Sequence, residues 1–172
     1  KNSGVSHVSG TADGATIALK FAEHFEKVCS PFTEKVNQEM KVRFEEMKAV
    51  YTTPPILNTD EMDVQLISEI VTQLSNGKAA GLDGLSAEHL KNSHPILIVI
   101  LCKLFNLFVK TEYLPDSFGI SYTVPIPKQD GRSHSLSTND FRGISISPVI
   151  SKVFEHSILN RFSEYFNTSD HQ

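Results

Sequence analysis

The amino-acid sequence predicts an α+β chain, mostly helical with one antiparallel β-hairpin. Apolar residues recur every three or four positions through most of its 172 residues, the period of a single helix face. Two runs break that rhythm, 121–128 and 141–147, where residues alternate as they do along a strand. The stretch between them, Gln129 to Asp140, is polar and rich in turn formers, so the two runs pair most simply as one hairpin. With 40% hydrophobic residues the chain holds enough apolar material for a packed core.

The first ten residues are Gly/Ser-rich and carry no apolar run, so they do not read as a signal peptide. A first helix is expected from Asp13, its cap, to Val28, with Ile17, Phe21, Phe25 and Val28 on one side. Pro31 interrupts it, and Thr33 is placed to cap a second helix. That helix carries the stripe Val36, Met40, Phe44, Met47 and Tyr51, and its charged residues form a solvated face. Pro54-Pro55 stops it and reads as a short stiff linker, which divides a helical region 1–55 from a second domain 56–172.

In the second domain Met62, Leu66, Ile67, Ile70, Val71 and Leu74 make an amphipathic helix whose start is favoured by Asp60, Glu61 and Asp63. A glycine-rich loop, Gly77 to Gly84, follows, and then a short helix capped by Ser86. Pro95 opens an apolar helix, Ile96 to Thr111, with Leu97, Leu101, Leu104, Phe105 and Phe108 in the core. Its apolar run is broken by Lys103, which fits a buried helix rather than a membrane span. After the hairpin, Ser147 caps a last helix with Pro148 at its first position, and Val149, Ile150, Val153, Phe154, Ile158, Phe162 and Phe166 face inward.

Chemistry gathers at the hairpin. Pro125 and Pro127 share one parity and lack N–H groups, so their strand must be an edge whose donor-poor side faces away from its partner. Lys128 ends the first strand and Arg142 opens the second, which brings both cations to the loop end, within reach of one anion. A point charge beside a planar fork of donors suits phosphate. Taken singly, the two are more often plain surface charges, and Asp130 and Asp140 flank the same loop as alternative partners. Gly77-Lys-Ala-Ala-Gly81 lacks the spacing of a nucleotide-binding P-loop, so its residues alone favour a connector, with Asp83-Gly84 as a turn.

Val124-Pro-Ile-Pro-Lys128, then Phe141-Arg-Gly-Ile-Ser-Ile-Ser-Pro-Val-Ile-Ser-Lys-Val-Phe-Glu155, resembles the fingers of non-LTR (LINE-type) retrotransposon reverse transcriptases. Gly77-Lys-Ala-Ala-Gly-Leu-Asp-Gly84 resembles the element that precedes them, in the family's order. The resemblance covers roughly residues 60–172, while the earlier part is similar only to a variable linker. It implies the fingers of a right-hand polymerase fold, with the palm absent. By that resemblance Lys128, Arg142, Lys78 and the backbone at Gly81 would meet the incoming nucleotide, and Ile144 and Ile146 would face the template. The implied partners are an RNA template, a DNA primer and a deoxynucleoside triphosphate, with no membrane. Mg²⁺ is implied for the full-length polymerase and no cofactor for this chain.

Charge adds little to that case. The net charge is −4, all of it from residues 1–72, where seven Lys/Arg face eleven Asp/Glu, whereas 73–172 hold nine of each. No polybasic stripe is visible. Cys29 and Cys102 stand far apart without zinc spacing and read as reduced thiols of a cytoplasmic or nuclear protein. The seven histidines have no ligand partner at metal spacing. Two-metal nucleotidyl transfer needs converging carboxylates, and the family's aromatic-x-Asp-Asp turn does not occur here. Both ends look cut from a longer chain, so the expectation is a polymerase fragment that is not catalytic alone. A domesticated RNA-binding remnant and a helical protein-interaction module are the competing readings.

Overall fold

The structure, a computed structural model, describes residues 7–30, 34–50, 61–128 and 136–163, the side chains of 34–37 excepted. Thr33, Tyr51, Pro54-Pro55, Asp60, Asp130 and Phe166, and the side chain of Val36, therefore lie outside the described residues. The architecture is α+β: helices α1 (Gly14–Cys29), α2 (Glu34–Val50), α3 (Val64–Gln73), α4 (Ala87–Lys91), α5 (Ile96–Thr111) and α6 (Val149–Arg161), with strands β1 (Tyr122–Pro127) and β2 (Phe141–Ile146) as an antiparallel pair. The chain divides into two compact units, Lys1–Pro54 with Val124–Ile144, and Pro55–Thr123 with Ser145–Gln172. The outer part of the hairpin thus groups with the N-terminal helices and its base with the later ones.

In the first unit, Asp13 caps α1 as expected, accepting hydrogen bonds from the Thr16 N–H at 2.8 Å and the Thr16 hydroxyl. Ser9 and Gly10, both with positive φ, turn the chain so that Val8 and Thr11 exchange backbone hydrogen bonds of 2.9 and 3.1 Å. Ser9 also donates to the Leu136 carbonyl at 2.7 Å, which ties this turn to the segment entering β2. A small core results. Val8, Phe21 and Phe141 are buried, Ile17, Phe25 and Leu136 pack around them, and the Phe21 and Phe141 rings meet edge-on at 4.8 Å. Val28, expected on this face, is exposed, as are Met40, Phe44 and Met47 of the α2 stripe.

The second unit holds the larger core. Helix α3 packs against α4, α5 and α6, and Ile67, Phe105 and Val153 lose essentially all contact with solvent. Asp63 caps α3 through the Leu66 N–H at 2.7 Å. Of the five α5 residues expected inside, Leu101, Phe105 and Phe108 are buried, while Leu97 and Leu104 are half-buried at the margin. Phe118 and Phe154 extend the aromatic group, with Phe154 5.1 Å from Phe105 and 5.9 Å from Phe108. Pro148 is extended (ψ 140°) and so precedes α6 as its cap, one position earlier than its fixed φ suggested. No helix among the described residues is long and apolar enough to cross a membrane.

The hairpin register follows from two contacts. Lys128 N–H donates to the Asp140 carbonyl at 2.8 Å, and the Thr123 and Ser145 hydroxyls lie 3.2 Å apart across the strands. Ile126 then faces Arg142, Val124 faces Ile144, and Tyr122 faces Ile146, all as hydrogen-bonded pairs. Pro125 and Pro127 fall opposite Gly143 and Phe141, at non-hydrogen-bonded positions where the backbone nitrogen points outward. Two prolines in six strand residues therefore cost the ladder nothing.

Candidate functional site

Strand parity decides which side chains share a face. Opposed residues point the same way, so Val124, Ile126, Arg142 and Ile144 lie on one face of the outer hairpin, with Lys128 one step beyond Ile126 in the same alternation. The other face carries Phe141, buried against α1. Lys128 and Arg142 are diagonal neighbours, a relation that sets such residues roughly 7–8 Å apart. Arg142 and Ile144 are exposed, and the guanidinium makes no hydrogen bond or ion pair among the described residues. One face of the first unit therefore offers an open guanidinium bordered by Val124, Ile126 and Ile144.

Lys128 is held differently. Its ammonium donates to the Asn139 carbonyl at 2.8 Å, a neutral acceptor supplied by the turn before β2. Asp140, the partner offered by the sequence, turns its carboxylate to the Ser137 N–H at 2.8 Å and the Ser137 hydroxyl at 2.9 Å. Those two bonds, and in smaller part the Lys128 charge, hold Asp140 below the usual carboxylate range. The loop end thus steadies the lysine with a carbonyl, and among the described residues no carboxylate hydrogen-bonds its ammonium.

The glycine-rich loop belongs to the second unit. Gly77 ends the approach from α3 with φ +70°, and its N–H donates to the Glu88 carboxylate, which is thereby held below its ordinary pKa. Lys91 fixes the same loop by donating to the Leu74 carbonyl and to Asn76 Oδ1 at 2.8 Å. Asp83 accepts from the Leu85 N–H at 3.1 Å, the turn role its sequence suggested. Lys78 is exposed. Gly81 is buried, and a Cβ built on it would stand 2.9 Å from the Pro148 nitrogen and Cα. Its lack of a side chain is accounted for by this close passage over the start of α6. The Tyr122 hydroxyl donates to the neighbouring Ala80 carbonyl at 2.9 Å, and Ile146, facing Tyr122, is half-buried.

Two features were missed from sequence. Asn106, inside the apolar α5, binds both backbone groups of Met62, accepting its N–H at 2.8 Å and donating to its carbonyl at 2.8 Å. Cys102 Sγ, buried beside it, donates to the same carbonyl at 3.2 Å, and burial raises its pKa. An amide between two core phenylalanines, Phe105 and Phe108, and four places from Cys102 was the available signal for the first. The second is the capping of α4, where the Ser86 N–H donates to His89 Nδ1 at 3.0 Å, so that histidine supplies the acceptor.

Among the described residues no three His, Cys, Asp or Glu side chains converge as metal ligands would. Two findings concern known proteins. No family model matches the chain. It is 28% identical over 142 residues to the "Probable RNA-directed DNA polymerase from transposon X-element" of Drosophila melanogaster, a match that takes in 82% of this chain. The chain spans 15% of that protein's length.

Proposed function

We propose that the chain is the fingers segment of a retrotransposon RNA-directed DNA polymerase, preceded by part of its linker, which positions incoming nucleotide and template. The observation that carries this reading is the similarity to a transposon polymerase over most of the chain. Exposed Arg142, beside exposed Ile144, supports it chemically. In this proposal Arg142 gives two parallel N–H donors to the triphosphate, and Lys128 adds a point charge after exchanging the Asn139 carbonyl for a phosphate oxygen. In the second unit, Lys78 and the backbone at Gly81 are assigned to nucleotide contact by the resemblance alone, and Gly81 would act there by shaping the backbone. Ile144 and Ile146 support the template. Such fixed positive groups favour the charge distribution of nucleotidyl transfer without carrying out its bond changes. Mg²⁺ and its carboxylates belong to other parts of the longer protein, which would act on an RNA template and DNA primer in the cytoplasm and nucleus.

Primer extension tests the reading. The isolated 172-residue chain should incorporate no nucleotide on RNA or DNA templates with Mg²⁺ or Mn²⁺, while a longer polymerase carrying it should extend primers. Template-dependent incorporation by the pure isolated chain would contradict the assignment of catalysis elsewhere. Failure of the longer protein, with RNA binding retained by the chain, would favour a non-catalytic RNA-binding remnant.

A further inference from the structure

Helix α2 carries a second, separate surface. Met40, Phe44 and Met47 recur at intervals of four and three, the spacing of a coiled-coil seam, and are 60%, 62% and 64% exposed. At 17 residues the helix is about 25 Å long, enough for two full turns of seam. Lys41 and Lys48 border this stripe on one side and Arg43 on the other. The carboxylates Glu39, Glu45 and Glu46 lie further round the helix, away from the stripe.

We propose that α2 docks an amphipathic helix of a partner protein whose apolar stripe is flanked by carboxylates. The argument is charge complementarity. In paired helices the positions beside the seam select the partner; of the four described flanking side chains, Lys41, Arg43 and Lys48 are cationic and Val50 is neutral. A second copy of α2 would set cation against cation. An anionic membrane would take the apolar stripe, but the polar face of an interfacial helix is Lys/Arg-rich, and this one bears Glu45 and Glu46. An acidic helix satisfies both stripe and flanks, and the two methionines adapt their shape to its side chains. This inference concerns the first unit and does not depend on the polymerase reading.

Calorimetric titration of the 172-residue chain tests it with two designed helical peptides of about four heptads, leucine at the seam, one with glutamate and one with lysine at every flanking position. The glutamate peptide should bind at least about 10-fold more tightly, the sum of three modest ion pairs, and should weaken as salt rises. Replacing Lys41, Arg43 and Lys48 together by glutamate, all at solvated positions, should reverse the order. Helicity by circular dichroism should not change in that variant. Phe44→Ser should abolish binding of the glutamate peptide. Equal affinities, no binding of either peptide, or an order untouched by the charge reversal would overturn the proposal. So would dimerisation of the chain lost in Phe44→Ser, which would assign the stripe to a second copy. Flotation with phosphatidylserine vesicles, lost in the same variant, would overturn it in favour of a membrane.

Discussion

Gly81 is the residue whose identity the structure explains most sharply. Its φ lies in the ordinary range, so the constraint is not conformational but the 2.9 Å approach to Pro148. Gly81→Ala should therefore destabilise the protein by about 1–3 kcal/mol, the usual effect of forcing a methyl group into a filled space. Chemical denaturation of the two proteins measures it, and an unchanged midpoint would contradict the close packing. Acid sensitivity belongs to the same scale. Asp13, Glu88 and Asp140 all have pKa values lowered by hydrogen bonds in the folded chain. Their stabilisation is complete above the unfolded values, about pH 4, and is lost as pH falls through the folded ones. The Tm should drop progressively on acidification below about pH 4, and Glu88→Gln should remove part of that slope. A Tm independent of pH across this window would be inconsistent with these bonds. The Asp13 cap was legible because one side chain and one nearby N–H suffice, whereas Asp63 was read only as a favourable charge at its helix start and the structure makes it the cap. The Asn106 clamp was not legible, since its partner Met62 lies 44 positions away.

The hairpin is the element on which the functional reading turns. Its existence was legible from alternation and turn chemistry, and its prolines correctly marked the outward positions of an edge strand. What local sequence did not contain was its surroundings. Phe141 reads as a strand residue, yet it is buried because Phe21 and Val8 reach it from the far end of the chain. The register has a direct test in amide exchange. Val124, Ile126, Arg142 and Ile144 should exchange slowly, since their N–H groups point across the ladder, while Gly143 and Ser145 should exchange fast. Slow exchange at Gly143 and Ser145 with fast exchange at Arg142 and Ile144 would mean a one-residue slip. That slip would also turn Arg142 to the opposite face. In α2 the helical period was legible, but the exposure of Met40, Phe44 and Met47 was not, because periodicity marks a face without saying what covers it.

For the molecule as a whole, an α+β chain of this composition was legible from its periodicities. The grouping of Val124–Ile144 with the N-terminal helices was not, because it arises from long-range packing. The chain's charge balance gave no support for nucleic acid, so the functional reading rests on similarity to a transposon polymerase together with the geometry of two cations. Steady-state kinetics of a complete polymerase carrying this segment, with Arg142→Ala against the unaltered protein, tests that reading most directly. The account expects the nucleotide KM to rise, or kcat/KM to fall, by about 10-fold or more, the loss of one charge-assisted contact. Lys128→Ala should act in the same direction, with primer-template affinity little changed. Unaltered nucleotide kinetics in Arg142→Ala, or a loss confined to primer-template affinity, would contradict it.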